Sequence, residues 1–183
     1  MLAELGRCMP RNYRSVDVHS GTVITLKPRF SLHSQVQSAK APFMTLSQIE
    51  QAIPHRPPML LVDEVVSQTE DTIVTRRTFR GEEYFFQGHY PGQPIVPGVI
   101  LCEATVQSGA VLLAGLMSGQ PGVPVLTRMN EVKFRRIVRP GDTLEMTVKL
   151  NERLGDAYFL TGTAKVEGQT AVRLEFACAI SQV

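Results

Sequence analysis

The sequence predicts an α+β domain in which an antiparallel sheet curls round one long, central, apolar helix. Three observations lead there. From Gly98 to about Met117 no proline intervenes, and Leu, Ala, Val and Met dominate. This reads as a helix of roughly 20 residues, about 30 Å long. Its apolar residues run nearly all round, so most of its sides should be buried. Beyond it, apolar residues recur with a period of two: Leu144, Met146, Val148 and Leu150, then Val172, Leu174, Phe176, Cys178 and Ile180. That period marks antiparallel strands with one buried face. Wrapping such a sheet round the single long helix buries both.

The elements follow in chain order. Residues 1–43 carry six Lys or Arg against Glu4 and Asp17, without a sustained periodicity. Val23–Leu26 is too short for a secretory apolar core. This stretch reads as an N-terminal extension, either flexible or lying ahead of the true start at Met44, and residues 44–183 read as the domain. Thr45 caps a short helix, TLSQIEQAI, with Gln48 in the capping-box position. Pro54-His55-Arg56-Pro57-Pro58 makes a rigid turn. Met59–Val66 reads as a buried strand and Thr72–Phe79 as its neighbour. A polar loop, Arg80–Glu83, leads into Tyr84-Phe85-Phe86 and His89. Pro91, Pro94 and Pro97 forbid a regular helix until about Val96, and Pro97 suits the first helical position. Ser118–Pro124 is a Gly/Pro-rich loop. Strands are expected over Val125–Val138, from Leu144 to Leu150, over Tyr158–Val166 and from Val172 to the end, with turns at Pro140-Gly141-Asp142 and Gly168.

Composition narrows the class. A chain of 183 residues fits one domain with a sizeable core. A net charge of +2 gives no global sign of a nucleic-acid partner. Cys8, Cys102 and Cys178 are odd in number and widely spaced, which argues against a disulfide framework or a structural zinc site and fits a reducing, cytoplasmic setting. The four histidines show no metal-ligand spacing, and no phosphate-loop or nucleotide fingerprint occurs. A membrane span over 95–117 is opposed by Glu103, Gln107, Ser108 and charged sequence on both sides.

The chemistry concentrates in Gly88–Leu116. Between Tyr90 and Arg128 the one charged residue is Glu103. A carboxylate in such a run meets a shifted pKa, a specific partner or a functional task. His89 lies fourteen positions upstream, a possible base beside a possible buried acid. The amides of Gly98 and Val99 fall in the first helical turn, where they lack intrahelical partners and can hold an oxygen gaining negative charge. Bland readings stand beside these: a His before a Pro-rich turn is often structural, and a lone helical Glu can be simply paired. Lys133, Arg135, Arg136 and Arg139 form a basic group that suits an acidic partner or, equally, a solvated strand edge that discourages aggregation.

PHRPPMLLVDEV, FFQGHYPGQPIVPGV, the following EATVQ, and VKFRRIVRPGD resemble the β-hydroxyacyl-acyl-carrier-protein dehydratases of bacterial fatty-acid synthesis, which are single hot-dog domains. The likeness runs from about Met44 to the C-terminus in the family's motif order. It implies that His89 and Glu103 are the catalytic pair, and a glutamate rather than an aspartate at 103 favours the branch that dehydrates without isomerising. Val106, Tyr90 and Met59 depart from the commoner alanine, phenylalanine and phenylalanine. The resemblance further implies reversible dehydration of a (3R)-3-hydroxyacyl thioester to the trans-2-enoyl thioester. The substrate rides on the phosphopantetheine of acyl carrier protein, with no metal and no redox cofactor. It implies a homodimer whose catalytic residues come from different subunits, often assembled further into hexamers. The basic group would meet the carrier protein. Two rivals remain: a thioester hydrolase on the same fold, and a non-catalytic acyl-binding protein.

Overall fold

The computed structural model describes residues 43–117 and 122–182. The expected N-terminal extension, apart from Phe43, and most of the loop after the long helix lie outside the described residues. The order of elements is α1 (Leu46–Ala52), β1 (Glu64–Gln68), β2 (Thr72–Thr78), a 3₁₀ turn (Tyr84–Gln87), α2 (Gly98–Leu116), β3 (Val123–Phe134), β4 (Thr143–Leu154), β5 (Ala157–Val166) and β6 (Gln169–Ser181). The strands form one sheet in the order β1-β2-β4-β5-β6-β3, and every pairing is antiparallel. The expected alternation holds: Leu144, Met146 and Val148 of β4 and Val172, Leu174 and Phe176 of β6 are buried.

The sheet curls round α2, which is buried from Ile100 to Leu113 apart from Glu103. By length and composition the helix could cross a membrane, yet 72% of its most apolar window is buried inside the domain. Glycines on the sheet and helix permit the close approach. A Cβ on Gly162 of β5 would collide with Thr105 Cγ2, and one on Gly109 would stand 2.8 Å from the Phe176 ring. The buried hydroxyls that α2 brings against the sheet are satisfied. Thr105 Oγ1 donates to Leu101 O at 2.8 Å, Ser108 Oγ donates to Ala104 O at 2.9 Å, and Thr75 Oγ1 lies 2.7 Å from Ser108 Oγ.

The capping box forms as expected, with Thr45 N–H donating to Gln48 Oε1 at 2.8 Å. Three departures from the sequence reading shape the site. Pro97 is the N-cap of α2, not its first helical residue, because its ψ of 136° is extended. The strand expected over Met59–Val66 begins only at Glu64. Leu60, Leu61 and Val62 are buried, but their stretch crosses α2 instead of pairing with β2. There the Gln107 side chain replaces a strand partner: Leu61 N–H donates to its Oε1 at 2.8 Å, and its Nε2 donates to Met59 O at 2.7 Å. Finally, β3 ends at Phe134. Val138 turns inward, and its carbonyl accepts from Val96 N–H at 2.8 Å, which pins the Pro-rich turn before α2.

Candidate active site

The loop that carries His89 is anchored at its base by a charged cluster. Arg77 donates to Asp63 at 2.8 Å and to Glu83 at 3.2 Å. Glu83 also accepts from the amides of Arg80 at 2.9 Å and Gly81 at 2.8 Å. Burial pushes the Glu83 carboxyl up, but these amides and the Arg77 charge outweigh it and hold the group below the ordinary glutamate range. The 3₁₀ turn then sinks Phe85 and Phe86 into the core, with Phe85 edge-on to Phe79. His89 N–H donates to Phe85 O at 3.1 Å. Tyr90 follows in the left-handed region at φ 53°, which costs a non-glycine residue about 1–2 kcal/mol. Its ring meets the His89 imidazole edge to face at 4.7 Å.

His89 faces a cavity of about 370 Å³ whose walls include Tyr90, Gly98, Leu101, Phe134 and Arg136. Gly98 is required there, since a Cβ would stand 2.9 Å from the Phe134 ring. Pro97 offers no side-chain cap, and its carbonyl takes the amides of Ile100 and Leu101. The Gly98 and Val99 amides are left without an acceptor among the described residues. Gly98, in the N-terminal turn of α2, stands in the wall of the His89 cavity.

Glu103 lies on the other flank of α2. Leu101 lines the His89 cavity, and two residues further on is about 200° round a helix. Within one chain the two residues therefore do not meet. The Glu103 side chain is 30% exposed, so the expectation of a carboxyl enclosed by apolar neighbours is corrected. Cys102 and Ala104 are apolar neighbours in sequence but point into the core. Glu103 instead shares an outward stripe with Val99, which is 73% exposed. One turn on, Gln107 is buried and donates from Nε2 to Glu103 Oε1 at 2.8 Å. His55 Nε2 stands 3.7 Å from the same oxygen.

The basic group divides. Lys133 is paired with Glu131 at 2.7 Å, and Arg136 with Glu167 at 3.0 Å. Arg135 and Arg139 have no carboxylate partner among the described residues. Sequence reasoning gave no site role to Gln107, His55 or Phe134. The spacing of Gln107 four residues after Glu103 was a signal for the first; nothing in the spacing joined His55 to Glu103.

A curled antiparallel sheet holding one long helix is the hot-dog architecture. The model of the FabA-like domain family matches residues 53–175. A 3-hydroxyacyl-[acyl-carrier-protein] dehydratase FabZ from Syntrophobacter fumaroxidans is 40% identical over 138 residues, spanning 75% of this chain and 94% of that protein. The protein of that name from Oenococcus oeni is 41% identical over 132 residues, spanning 70% and 93%. In fold, the chain is similar to the dehydratase heterocomplex ApeI:P from Xenorhabdus doucetiae, with a TM-score of 0.64 at 14% identity over 78% of this chain and 93% of that one. A thioesterase-like protein from Ralstonia eutropha gives 0.53 at 14% identity over 63% and 83%. The chain belongs to the FabZ family of 3-hydroxyacyl-[acyl-carrier-protein] dehydratases, which are hydro-lyases.

Proposed function

We propose that this protein reversibly dehydrates (3R)-3-hydroxyacyl-[acyl-carrier-protein] to the trans-2-enoyl thioester in cytoplasmic fatty-acid biosynthesis. One observation carries the reading: the start of α2, through Gly98, lines a cavity with His89, while the same helix presents Glu103 on its other flank.

Elimination must take a weakly acidic proton from C2 and expel oxygen from C3. The imidazole of His89 suits the first task, since histidine titrates near neutral pH. As it takes the C2 proton, the C–H electron pair forms the C2=C3 bond and enolate character builds on the thioester oxygen. The Gly98 and Val99 amides supply donors for that oxygen. Glu103 gives its proton to the C3 oxygen, the C3–O bond breaks, and water leaves. No electron is gained or lost, so the step needs no redox cofactor.

The two flanks of α2 must belong to one site, and a homodimer accomplishes this if His89 of one protomer faces Glu103 of its partner. Three features support that arrangement. Among the described residues the sheet ends at β3, a 12-residue strand, and Val125, Met129 and Phe134 along it are exposed. Val99, beside Glu103, is exposed as well. A twofold axis would cover both patches at once. Arg135 and Arg139 are cations free to meet the acidic carrier protein.

The test is ultraviolet absorbance of the enoyl thioester, with purified protein and 3-hydroxyacyl carrier-protein substrates of several chain lengths. Enoyl formation that is reversible and lost in His89→Ala and Glu103→Gln is the expected result. Thiol release without enoyl formation would assign the protein to hydrolysis instead.

A further inference from the structure

The two oxygens of Glu103 are not alike. Oε1 accepts from Gln107 Nε2 at 2.8 Å and lies 3.7 Å from His55 Nε2. Oε2 has no partner among the described residues. His55 Nδ1 is buried and also without a partner. An orphaned buried N–H is rarer than an orphaned acceptor, so the imidazole proton belongs on Nε2, facing the carboxylate. Arg56, the other charged group of that turn, sends its guanidinium to the carbonyls of Ile53 at 2.9 Å and His55 at 2.6 Å. It braces the turn and brings no cation to Glu103.

The geometry points to His55 and Gln107 as positioning residues on the Oε1 side of Glu103, Gln107 by a hydrogen bond and His55 by electrostatic contact at 3.7 Å, which leaves Oε2 to carry the proton to the substrate. This rests on the proposed reading of Glu103 as the acid. While the acid is protonated, Oε1 is its carbonyl oxygen: it accepts from Gln107 Nε2, and the His55 Nε2 dipole faces it from 3.7 Å, beyond hydrogen-bond distance. When Oε2 releases its proton to the C3 oxygen and water departs, the new negative charge spreads onto Oε1, where both donors already stand. The donors are pre-placed. Gln107 is held by Met59 O and Leu61 N–H, and His55 by a braced, proline-flanked turn.

His55→Phe is the cleaner variant, since Gln107 also ties the Met59–Leu61 stretch to α2. It should lower kcat about tenfold with KM little changed, and His55→Gln, which restores an N–H donor, should recover most of the loss. Residues that act as a unit are non-additive. In a Glu103→Gln background, His55→Phe should therefore cost nothing further, whereas a purely structural role would lower both backgrounds by the same factor. Wild-type kcat in His55→Phe, or an equal loss in both backgrounds, overturns the assignment. If the wild type forms no enoyl thioester, it is the proposed function that falls, and crystal structures then decide this point separately. A Glu103 carboxylate released from its wild-type rotamer in His55→Phe supports positioning; an unchanged carboxylate overturns it.

Discussion

The two halves of α2 sit in different surroundings. From Ala104 to Leu113 the helix is enclosed by the sheet, and its small residues, Gly109 and Ser108, are fitted to Phe176 and Thr75. From Gly98 to Glu103 it is half open, with free amides on one flank and a tethered carboxylate on the other. The closed half holds the helix in place, and the open half gains orientation from that rigidity. The contrast teaches that one apolar helix can supply both core and site when its charged side chain and unpaired amides lie toward one end.

Substitutions can break that division, and the largest effects belong to the open half. Glu103→Gln and His89→Ala should each lower turnover by more than about a hundredfold, the scale of general acid–base assistance, while their urea midpoints stay near wild type. A large loss of stability in either would place the residue in the closed half's role. Next comes Gly162→Ala, whose methyl would collide with Thr105. Overpacking should cost about 1–3 kcal/mol in urea unfolding. Turnover of the protein that remains folded should fall less than in Glu103→Gln.

Smaller effects sharpen the account. The loop bearing His89 depends on Glu83, whose folded carboxyl lies below its ordinary value. The unfolded chain thus binds more protons, so this contribution is present above the ordinary glutamate range and lost as pH falls through the folded value. Glu83→Gln should cost about 1 kcal/mol at pH 7, with the gap to wild type closing in acid, as read by urea unfolding across pH. The smallest signal is chemical. Burial pushes the Cys178 thiol up to about 11. Alkylation followed by mass spectrometry at pH 8 should leave Cys178 unmodified until the protein unfolds.

Much of the closed half was legible from sequence, because periodicity reports burial. The alternation in β4 and β6, the proline-free run of α2 and the Thr45–Gln48 box all depend on neighbours close in the chain. The stretch Met59–Asp63 misled because a short apolar run looks the same whether it pairs in a sheet or crosses a helix. Its actual hydrogen-bond partner, Gln107, lies 46 residues from Leu61. The open half was legible in its residues but not in their placement. His89, Gly98 and Glu103 stood out by type and spacing, yet the flank each occupies follows from helix phase and from the turn at His55. A linear window averages over that phase, which is why Glu103 read as enclosed.

The central claim is that the two flanks of α2 work together only across a pair of protomers. Unfolding and refolding an equal mixture of His89→Ala and Glu103→Gln tests it directly. Each variant alone should be nearly inactive. In a mixed dimer one site would combine the intact His89 of one protomer with the intact Glu103 of the other. Random reassortment should then restore about a quarter of wild-type enoyl formation, by the statistics of twofold pairing. A refolded mixture no more active than the separate variants, with mixed dimers present by native mass spectrometry, would contradict the account.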